Sequence, residues 1–388
     1  MKRWWMMLVL AWPVTLLAQE TVKVGVVMSF SGPFAVYGDQ TRRGIDLYLD
    51  EVGGKAGNAR IEVIYRDEAG GPEKAKQVTQ ELIVRDGVQF LAGFNLSPTA
   101  LAVAPLITQA KMPSVILVAG TSVITRRSPY FARVSFTVWQ GTYTLGEWAA
   151  RTGIKDVVIA YSDYAPGVDA INAFKASYLK GGGKVLAEIG MPLATTDFGV
   201  YVQRIRDLKP SAVFLFTPAG PPGVGFIKTF SAFGLRQAGV KLLTLASVDE
   251  LELPAIGEDA LGAVSAWHYS PHLATPESRR FVALYQKKYP DGSLPTFQIV
   301  ASYDGMRLIG DVIAKLGSKF DGDQAMAVMR GWSTGASARG RILIDPEERD
   351  IVQNIYIRRV EKLPNGGLGN VAFETIPMVK DPWKQLNK

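Results

Sequence analysis

The hydrophobic positions of the chain alternate between short continuous runs and helical stripes. The run "VKVGVVMS", which starts at Val22, is apolar almost throughout, as in a strand buried on both faces of a sheet. The segment "DQTRRGIDLYLDEV" instead carries apolar residues at Ile45, Leu49 and Val52, which is the spacing of a helix. The alternation continues through "RIEVIYRDE", "PEKAKQVTQELIVRDG", "VQFLAGF", "SPTALAVAPLITQAK" and "PSVILVAG". Strands rich in Val and Ile between helices predict a parallel sheet covered on both faces.

A second series of the same kind follows "RVSFTVWQG". Its predicted helices are "TYTLGEWAART", "VDAINAFKASYLKGG", "FGVYVQRIRDLK" and "GVGFIKTFSAFG", and its strands are "DVVIAYS", "KVLAEIGMPL", "SAVFLFT" and "VKLLTLAS". The rest is more helical, with "PESRRFVALYQKKYP", "TFQIVASYDGMRLIGDVIAKLG" and "DQAMAVMRGW" before the short strands "GRILID" and "IVQNIYIRRVEK". It is too small for a third domain, so we expect it to complete the first two through several crossovers.

The predicted fold class is therefore α/β, with two doubly wound parallel-sheet lobes joined by a multi-crossover hinge. A cleft should lie between the lobes. We assign residues 19–138 and 267–348 to lobe 1, and residues 139–266 and 349–388 to lobe 2.

The first residues differ from the rest of the chain. A basic "MKR" precedes an uncharged run from Trp4 to Leu17 and a small residue, Ala18. About 14 residues at about 1.5 Å each reach about 21 Å, which is short of a hydrocarbon core of about 30 Å. We therefore expect residues 1–18 to be a cleaved signal peptide and not a membrane anchor, and the mature protein to be exported to the periplasm.

Composition excludes several kinds of site. The chain has no Cys and only two His, His268 and His272, which excludes a thiol nucleophile, Cys-ligated metals and a His-rich metal centre. We expect no metal and no cofactor. The net charge is +7, but the basic residues are scattered and interleaved with acids, so we expect no nucleic-acid partner.

The sequence also lacks the motifs of nucleotide-binding enzymes and of serine hydrolases. The first loop, "SFSGPFAVYG", lacks the glycine spacing of a dinucleotide loop, and no G-x-S-x-G pentad occurs. Ser97 in "NLSPT" resembles a helix cap followed by Pro98. We expect no enzyme activity, and an exported hydrolase is the less favoured alternative.

Ligands of open α/β sheets bind outside the carboxyl ends of the strands. Ser97 and Thr121 each follow a predicted strand there, so both could present a hydroxyl to one carboxylate; plain capping is the alternative. Tyr37, Trp139 and Tyr164 lie at loop or crossover positions, where an aromatic ring could cover an apolar ligand or simply fill the core.

Five segments together resemble a known family. They are "VKVGVVMSFSGPFAVYGDQTRRGIDLYLDEV", "DEAGGPEKAKQVTQELIVRDGVQFLAGF", "SPTALAVAPLITQAKMPSV", "DFGVYVQRIRDLKPSAVFLF" and "QNIYIRRV". In order and spacing they are similar to the periplasmic solute-binding proteins of the branched-chain amino acid type, which feed ABC importers. The resemblance implies a small amino acid or related carboxylate as the ligand, an ABC transporter permease as the partner and a monomer.

The resemblance also implies site residues. Ser97, Ala119 and Thr121, with Gly120 between them, match the positions that hold a ligand carboxylate in amino-acid binders, and Tyr37 and Tyr164 match family aromatics. Asp249, or Glu250 in another register, matches the acid that holds the ligand's amino group. If neither acid reaches the cleft, an aromatic or aliphatic carboxylate without an amino group becomes the better prediction, because burying an unpaired ammonium is costly. A ligand-sensing regulator remains an alternative to transport.

Overall fold

The computed structural model describes residues 20–69 and 71–388, and the predicted signal peptide at residues 1–18 lies outside them. In these residues the strands are β1 (Thr21–Met28), β2 (Lys55–Ala56), β3 (Ala59–Asp67), β4 (Phe90–Gly93), β5 (Ser114–Ile116), β6 (Phe131–Arg133), β7 (Asp156–Ser162), β8 (Lys184–Met191), β9 (Ala212–Phe216), β10 (Lys241–Thr244), β11 (Val264–Trp267), β12 (Ser333–Thr334), β13 (Ile342–Ile344), β14 (Ile351–Lys362) and β15 (Leu368–Val379). The α-helices are α1 (Ala35–Glu51), α2 (Pro72–Val84), α3 (Ser97–Gln109), α4 (Ile124–Arg127), α5 (Val138–Arg151), α6 (Ala165–Tyr178), α7 (Gly199–Leu208), α8 (Pro221–Ala232), α9 (Leu253–Ile256), α10 (Pro276–Lys288), α11 (Phe297–Leu316), α12 (Gly322–Met329) and α13 (Pro382–Leu386).

The first sheet and the helices around it form what we call lobe 1. Within the described residues this sheet has six strands in the order β2-β3-β1-β4-β5-β6, all parallel except β2. Strand β1 lies between β3 and β4 and is buried over most of its length, which accounts for its continuous apolar run. Helix α11, from a distant part of the chain, packs against α1. Gly44 permits this approach, because a Cβ there would lie 2.3 Å from the carbonyl oxygen of Ile299.

The second sheet and its helices form lobe 2. In the part of the chain that the structure describes, it has nine strands in the order β12-β13-β14-β11-β10-β9-β7-β8, with β15 paired to β14. Strands β7 to β10 run parallel, as the α/β alternation predicts, and β11, which was not predicted, pairs parallel with β10. Strands β12 to β15 are antiparallel additions, of which β12 and β15 were not predicted. The predicted fold class is confirmed, with the refinement that both sheets are mixed.

The chain passes between the lobes more than once. It leaves the first sheet after β6, builds β7 to β11, and returns to supply α10 and α11, which pack against α1. It then enters the second sheet again at β12. The carboxyl ends of β4, β5, β7, β9 and β10 are each followed by a loop that lines the space between the lobes.

Two helices begin earlier than the sequence pattern predicts. Helix α1 begins at Ala35 and not at Asp39, so Tyr37 lies in its first turn. Helix α5 begins at Val138 and not at Thr142, and Trp139, predicted at a crossover, is a buried helical residue. No helix among the described residues is long and apolar enough to cross a membrane.

Candidate functional site

A cavity rich in aromatic residues lies between the two lobes, with about 560 Å³ of empty space including the part open to solvent. Lobe 1 and lobe 2 both contribute to its wall. Its lining consists of Tyr37, Asn95, Leu96, Ser97, Val118, Gly120, Phe136, Val138, Tyr164, Pro166, Phe216, Thr217, Pro218, Ala219, Leu245, Ala246, Trp267 and Phe297. None of these described lining residues carries a charge, which sets the chemistry that the cavity can accept.

Aromatic rings make up one side of the wall. Phe136 lies 4.6 Å from Trp267 and 5.9 Å from Phe297 between ring centroids, and Trp267 lies 5.3 Å from Phe297. The imidazole of His268 stacks on Phe136 from behind, at 5.5 Å. Burial lowers the pKa of His268 well below its ordinary value, with the charges of nearby arginines adding to the effect, so the ring is neutral and acts as part of this apolar packing.

Polar groups meet the cavity where β4 leads into α3. The chain turns sharply at Gly93 (φ 113°) and Phe94 (φ 64°), which directs Asn95, Leu96 and Ser97 toward the cavity. Leu96 occupies the N-cap position of α3, and the Ser97 side chain does not cap the helix. The start of α3, with the positive end of its helix dipole, therefore faces the cavity and favours an anion there.

The Ser97 hydroxyl is oriented by a backbone group. Its oxygen accepts a hydrogen bond of 3.2 Å from the N–H of Thr121. A hydroxyl carries one proton and two acceptor positions, so this contact leaves the proton free to be donated. Ser97 is therefore a ready donor to an anion in the cavity.

The loop after β5 is held from behind by a buried arginine. Arg133 donates to the carbonyl oxygens of Ala119 at 3.0 Å and Thr121 at 2.9 Å, and it forms an ion pair with Asp350 at 2.7 Å. Both loop residues are buried and only Gly120 between them lines the cavity. The carbonyl of Ala119 thus accepts a hydrogen bond from within the protein.

A buried carboxyl group supports the loop at Asn95. Glu68 is fully buried, and its Oε1 accepts from the N–H of Asn95 at 3.2 Å and from the Ser29 hydroxyl at 3.4 Å. The Asn95 amide in turn donates to the Ser29 oxygen at 3.1 Å. Burial raises the pKa of Glu68 to about 7, and hydrogen bonds from Thr99, Asn95 and Ser29 limit the rise. The sequence analysis missed this residue.

Hydrogen bonds beside the cavity join the lobes across the cleft. The Tyr37 hydroxyl donates to the carbonyl of Ala219 at 3.3 Å, and the N–H of Ser122 donates to Oδ2 of Asp169 on α6 at 3.2 Å. Burial raises the pKa of Asp169, and the hydrogen bond from Ser122 opposes the rise. These contacts show the cleft in a closed arrangement.

The acids after β10 do not line this cavity. Asp249 is fully buried and pairs with Arg358 of β14 at 3.3 Å. Glu250 accepts hydrogen bonds of 3.1 Å from the backbone and side-chain nitrogens of Asn370. Burial raises the pKa of Asp249, the charge of Glu250 adds to the rise, and Arg358 opposes it. Both acids are thus engaged inside lobe 2.

The structure brings together part of the set of predicted site residues. Tyr37, Ser97, Gly120 and Tyr164 line the cavity, whereas Ala119, Thr121 and Asp249 lie behind its wall. Sequence reasoning missed the aromatic residues Phe136, Phe216, Trp267 and Phe297. They follow or end strands or begin a helix, but nothing local to them indicates a shared cavity. In the described part of the chain, no group of His, Asp or Glu is arranged to hold a metal ion.

Comparisons with known proteins agree with this arrangement. A family model described as periplasmic binding protein matches residues 21–367. The chain is 42% identical over 365 residues to Leu/Ile/Val-binding protein homolog 6 of Brucella melitensis biotype 1, covering 94% of this chain and 93% of that one.

Two solved structures are closely similar to the whole fold. One is a solute-binding protein of an ABC transporter from Rhodopseudomonas palustris BisB5 in complex with 3,4-dihydroxybenzoic acid, with a TM-score of 0.90, 45% identity, and coverage of 94% of this chain and 99% of that one. The other is a solute-binding protein from Rhodopseudomonas palustris HaA2 in complex with p-hydroxybenzoic acid, with a TM-score of 0.91, 44% identity, and coverage of 95% and 100%.

Proposed function

The chain belongs to the periplasmic binding protein family and is a solute-binding protein of an ABC transporter, and from this premise we propose that its ligand is an aromatic carboxylate. The carboxylate lies at the start of α3, and the ring lies among the aromatic side chains of the cavity wall.

The observation that carries the proposal is the uncharged, aromatic lining of the cavity. An amino acid would bring an ammonium group, and no described lining residue offers an acid to pair with it. Asp249 already pairs with Arg358 outside the cavity. An unpaired ammonium buried in such a site would cost several kcal/mol, by the order of magnitude known for buried ions. A ring that lacks an amino group avoids this cost and gains contact with the aromatic wall.

A single carboxylate can be held there without a positive side chain. The Ser97 hydroxyl has its proton free, and the N-terminal turn of α3 presents the favourable end of the helix dipole. Oriented dipoles are effective in a site shut off from water, because no competing solvent screens them. The two Rhodopseudomonas palustris proteins, which were solved with hydroxybenzoic acids, support the same ligand class.

A thermal-shift screen tests the proposal. Benzoate, 4-hydroxybenzoate and 3,4-dihydroxybenzoate are compared with leucine, isoleucine and valine, followed by calorimetry on each hit. At 100 times the dissociation constant a ligand stabilises the protein by about 2.7 kcal/mol, which gives a clear shift in melting temperature. We expect the benzoates to stabilise the protein and the amino acids to leave it unchanged. Stabilisation by the amino acids alone would overturn the proposal.

Branched-chain amino acids are the second candidate ligand. The observation in their favour is the 42% identity to a relative named as a Leu/Ile/Val-binding protein homolog. The same screen separates the two candidates, since it contains both ligand classes.

We also propose the remaining features of a periplasmic component. Residues 1–18 are removed on export, the mature protein is a monomer without enzyme activity, and it docks on a permease. The lobes divide at residues 138, 266 and 348. Intact-mass measurement of the exported protein tests the cleavage, and light scattering after size-exclusion chromatography tests the monomer.

A further inference from the structure

A second, smaller cavity adjoins the main one. Tyr37, Ala219 and Phe297 line both cavities. We call the second cavity the annex. Its other lining residues are Val36, Gln40, Asp249, Leu251, Glu252, Thr296 and Gln298. The main cavity is uncharged, so the annex is where acidic side chains come nearest to a ligand.

Glu252 is the unusual residue of the annex. Its side chain is only 3% exposed, and neither of its carboxyl oxygens has a hydrogen bond of normal geometry among the described residues. The backbone N–H groups of Glu252 itself and of Gly220 lie near enough to lower its pKa slightly against the effect of burial. Buried carboxyl groups nearly always have partners, because losing hydration without compensation is costly. An orphaned carboxyl that lines a cavity next to a binding site therefore indicates a missing donor.

Most other polar groups of the annex bond within the protein, although Oδ2 of Asp249 also has no hydrogen-bond partner among the described residues. Gln40 accepts from the Thr296 hydroxyl at 2.8 Å, and Gln298 donates to the carbonyl of Tyr37 at 2.6 Å. These bonds fix the walls of the annex. They leave Glu252, with two unpartnered carboxyl oxygens against one on Asp249, as the main acceptor for a group entering from the main cavity past Tyr37 and Ala219.

We propose that Glu252 determines specificity by accepting a hydrogen bond from a hydroxyl group on the ligand's ring. This inference rests on the proposed function, since it extends the same aromatic carboxylate from the start of α3 toward the annex. The ring hydroxyl lies at the junction of the two cavities, beside the Tyr37 hydroxyl. An aromatic acid without a ring hydroxyl leaves Glu252 unsatisfied and binds more weakly.

The surroundings of Glu252 favour a neutral donor. Burial raises the pKa of Glu252 well above its ordinary value, and the nearby charge of Asp249 adds to the rise. Glu250 stands close enough to act in the same direction, and Arg358 is engaged with Asp249. A carboxyl group kept neutral in this way can accept from a phenol without burying a net charge.

The test compares two ligands that differ only in the hydroxyl. Calorimetry measures the dissociation constants of benzoate and 4-hydroxybenzoate for the wild type, Glu252→Leu and Glu252→Gln. Glu258→Gln is the control, because Glu258 lies on the surface of lobe 2 and pairs there with Lys362 at 2.6 Å. We expect the wild type to prefer 4-hydroxybenzoate by about 10-fold or more, the value of one hydrogen bond to a site built for it.

Glu252→Leu should remove that preference by weakening 4-hydroxybenzoate while leaving benzoate bound. Glu252→Gln, which keeps a carbonyl acceptor, should retain most of it, and Glu258→Gln should match the wild type. Retained benzoate binding shows that the leucine variant is folded. A preference that survives in Glu252→Leu, or no preference in a wild type that binds both acids, overturns the role of Glu252 and leaves the proposed function standing. If the wild type binds neither acid, the proposed aromatic carboxylate ligand is itself wrong.

Discussion

The hydroxyl of Tyr37 on lobe 1 donates a hydrogen bond of 3.3 Å to the carbonyl of Ala219 on lobe 2. Tyr37 lies in the first turn of α1, and Ala219 lies in the loop between β9 and α8. Both residues line the main cavity, so this bond closes the cleft next to the site that a ligand would occupy. Closure and binding therefore depend on the same side chain.

Replacing Tyr37 by Phe should weaken ligand binding by about 2- to 10-fold. The ring stays in place, but the bond between the lobes is lost, and one neutral hydrogen bond contributes about 0.5–1.5 kcal/mol. Calorimetry with the best ligand of the screen measures the change. Tyr130→Phe is the matched control, because it removes a 2.7 Å bond to Asp323 away from the cavity. Equal affinities of Tyr37→Phe and the wild type would contradict the role of this bond in closure.

Ser97→Ala should cost about 10-fold or more in affinity for an aromatic carboxylate. The substitution removes the free donor proton, and hydrogen bonds to charged groups contribute about 1.5–3 kcal/mol. Titration calorimetry gives the loss. Ser114→Ala is the control. It removes another buried hydroxyl of lobe 1, which donates to the carbonyl of Met112 at 2.9 Å and does not line the cavity. If both variants bind like the wild type, the carboxylate does not lie at the start of α3.

Asp169→Ala should shift the ligand-free protein toward an open form. The side chain accepts from the N–H of Ser122 across the cleft, and its loss removes one of the bonds between the lobes. Small-angle X-ray scattering should show a larger radius of gyration without ligand, and a smaller one when ligand is added. Asp163→Ala, an exposed change near the start of α6, should leave the scattering as in the wild type. Identical curves for both variants would show that Asp169 does not hold the cleft closed.

Glu68 should make stability fall as pH rises. Its ordinary pKa is 4.5 and burial raises it to about 7, so between these values the unfolded chain releases a proton that the folded protein retains. The free energy of unfolding should therefore drop by about 2–3 kcal/mol from pH 5 to pH 8 through this group alone.

Glu68→Gln removes the titration and leaves the shape of the side chain. Urea unfolding of the wild type and the variant at a series of pH values measures the effect. The difference in stability, variant minus wild type, should rise with pH by that amount. A difference that stays constant from pH 5 to pH 8 would mean that the folded protein does not hold the proton.

The sequence predicts the fold well where the pattern is local. The apolar run of β1 predicts a strand, and the helical stripe of α1 predicts a helix. Ser97 follows β4 closely enough to be placed at the carboxyl end of that strand. Tyr37 was also placed at the cleft, although its helix begins earlier than expected. These features depend on burial and spacing within single elements.

The rest of the site depends on partners far apart in the chain. Asp249 pairs with Arg358, 109 residues later, and no local pattern shows that this ion pair turns the acid away from the cavity. Phe136 and Trp267 meet only because β11 lies where the chain crosses between lobes. Strand β15 was missed because it is half exposed and carries polar residues among its apolar ones.

The uncharged wall of the cavity affects how the ligand is released to the transporter. A ligand held by a charged side chain of opposite sign would have to break that ion pair before it could enter a transporter. Here uncharged groups from both lobes enclose the site, so separating the lobes removes half of the enclosure and exposes the ligand to water. We expect the binding affinity to vary little with ionic strength. We also expect the permease to release the ligand simply by separating the lobes.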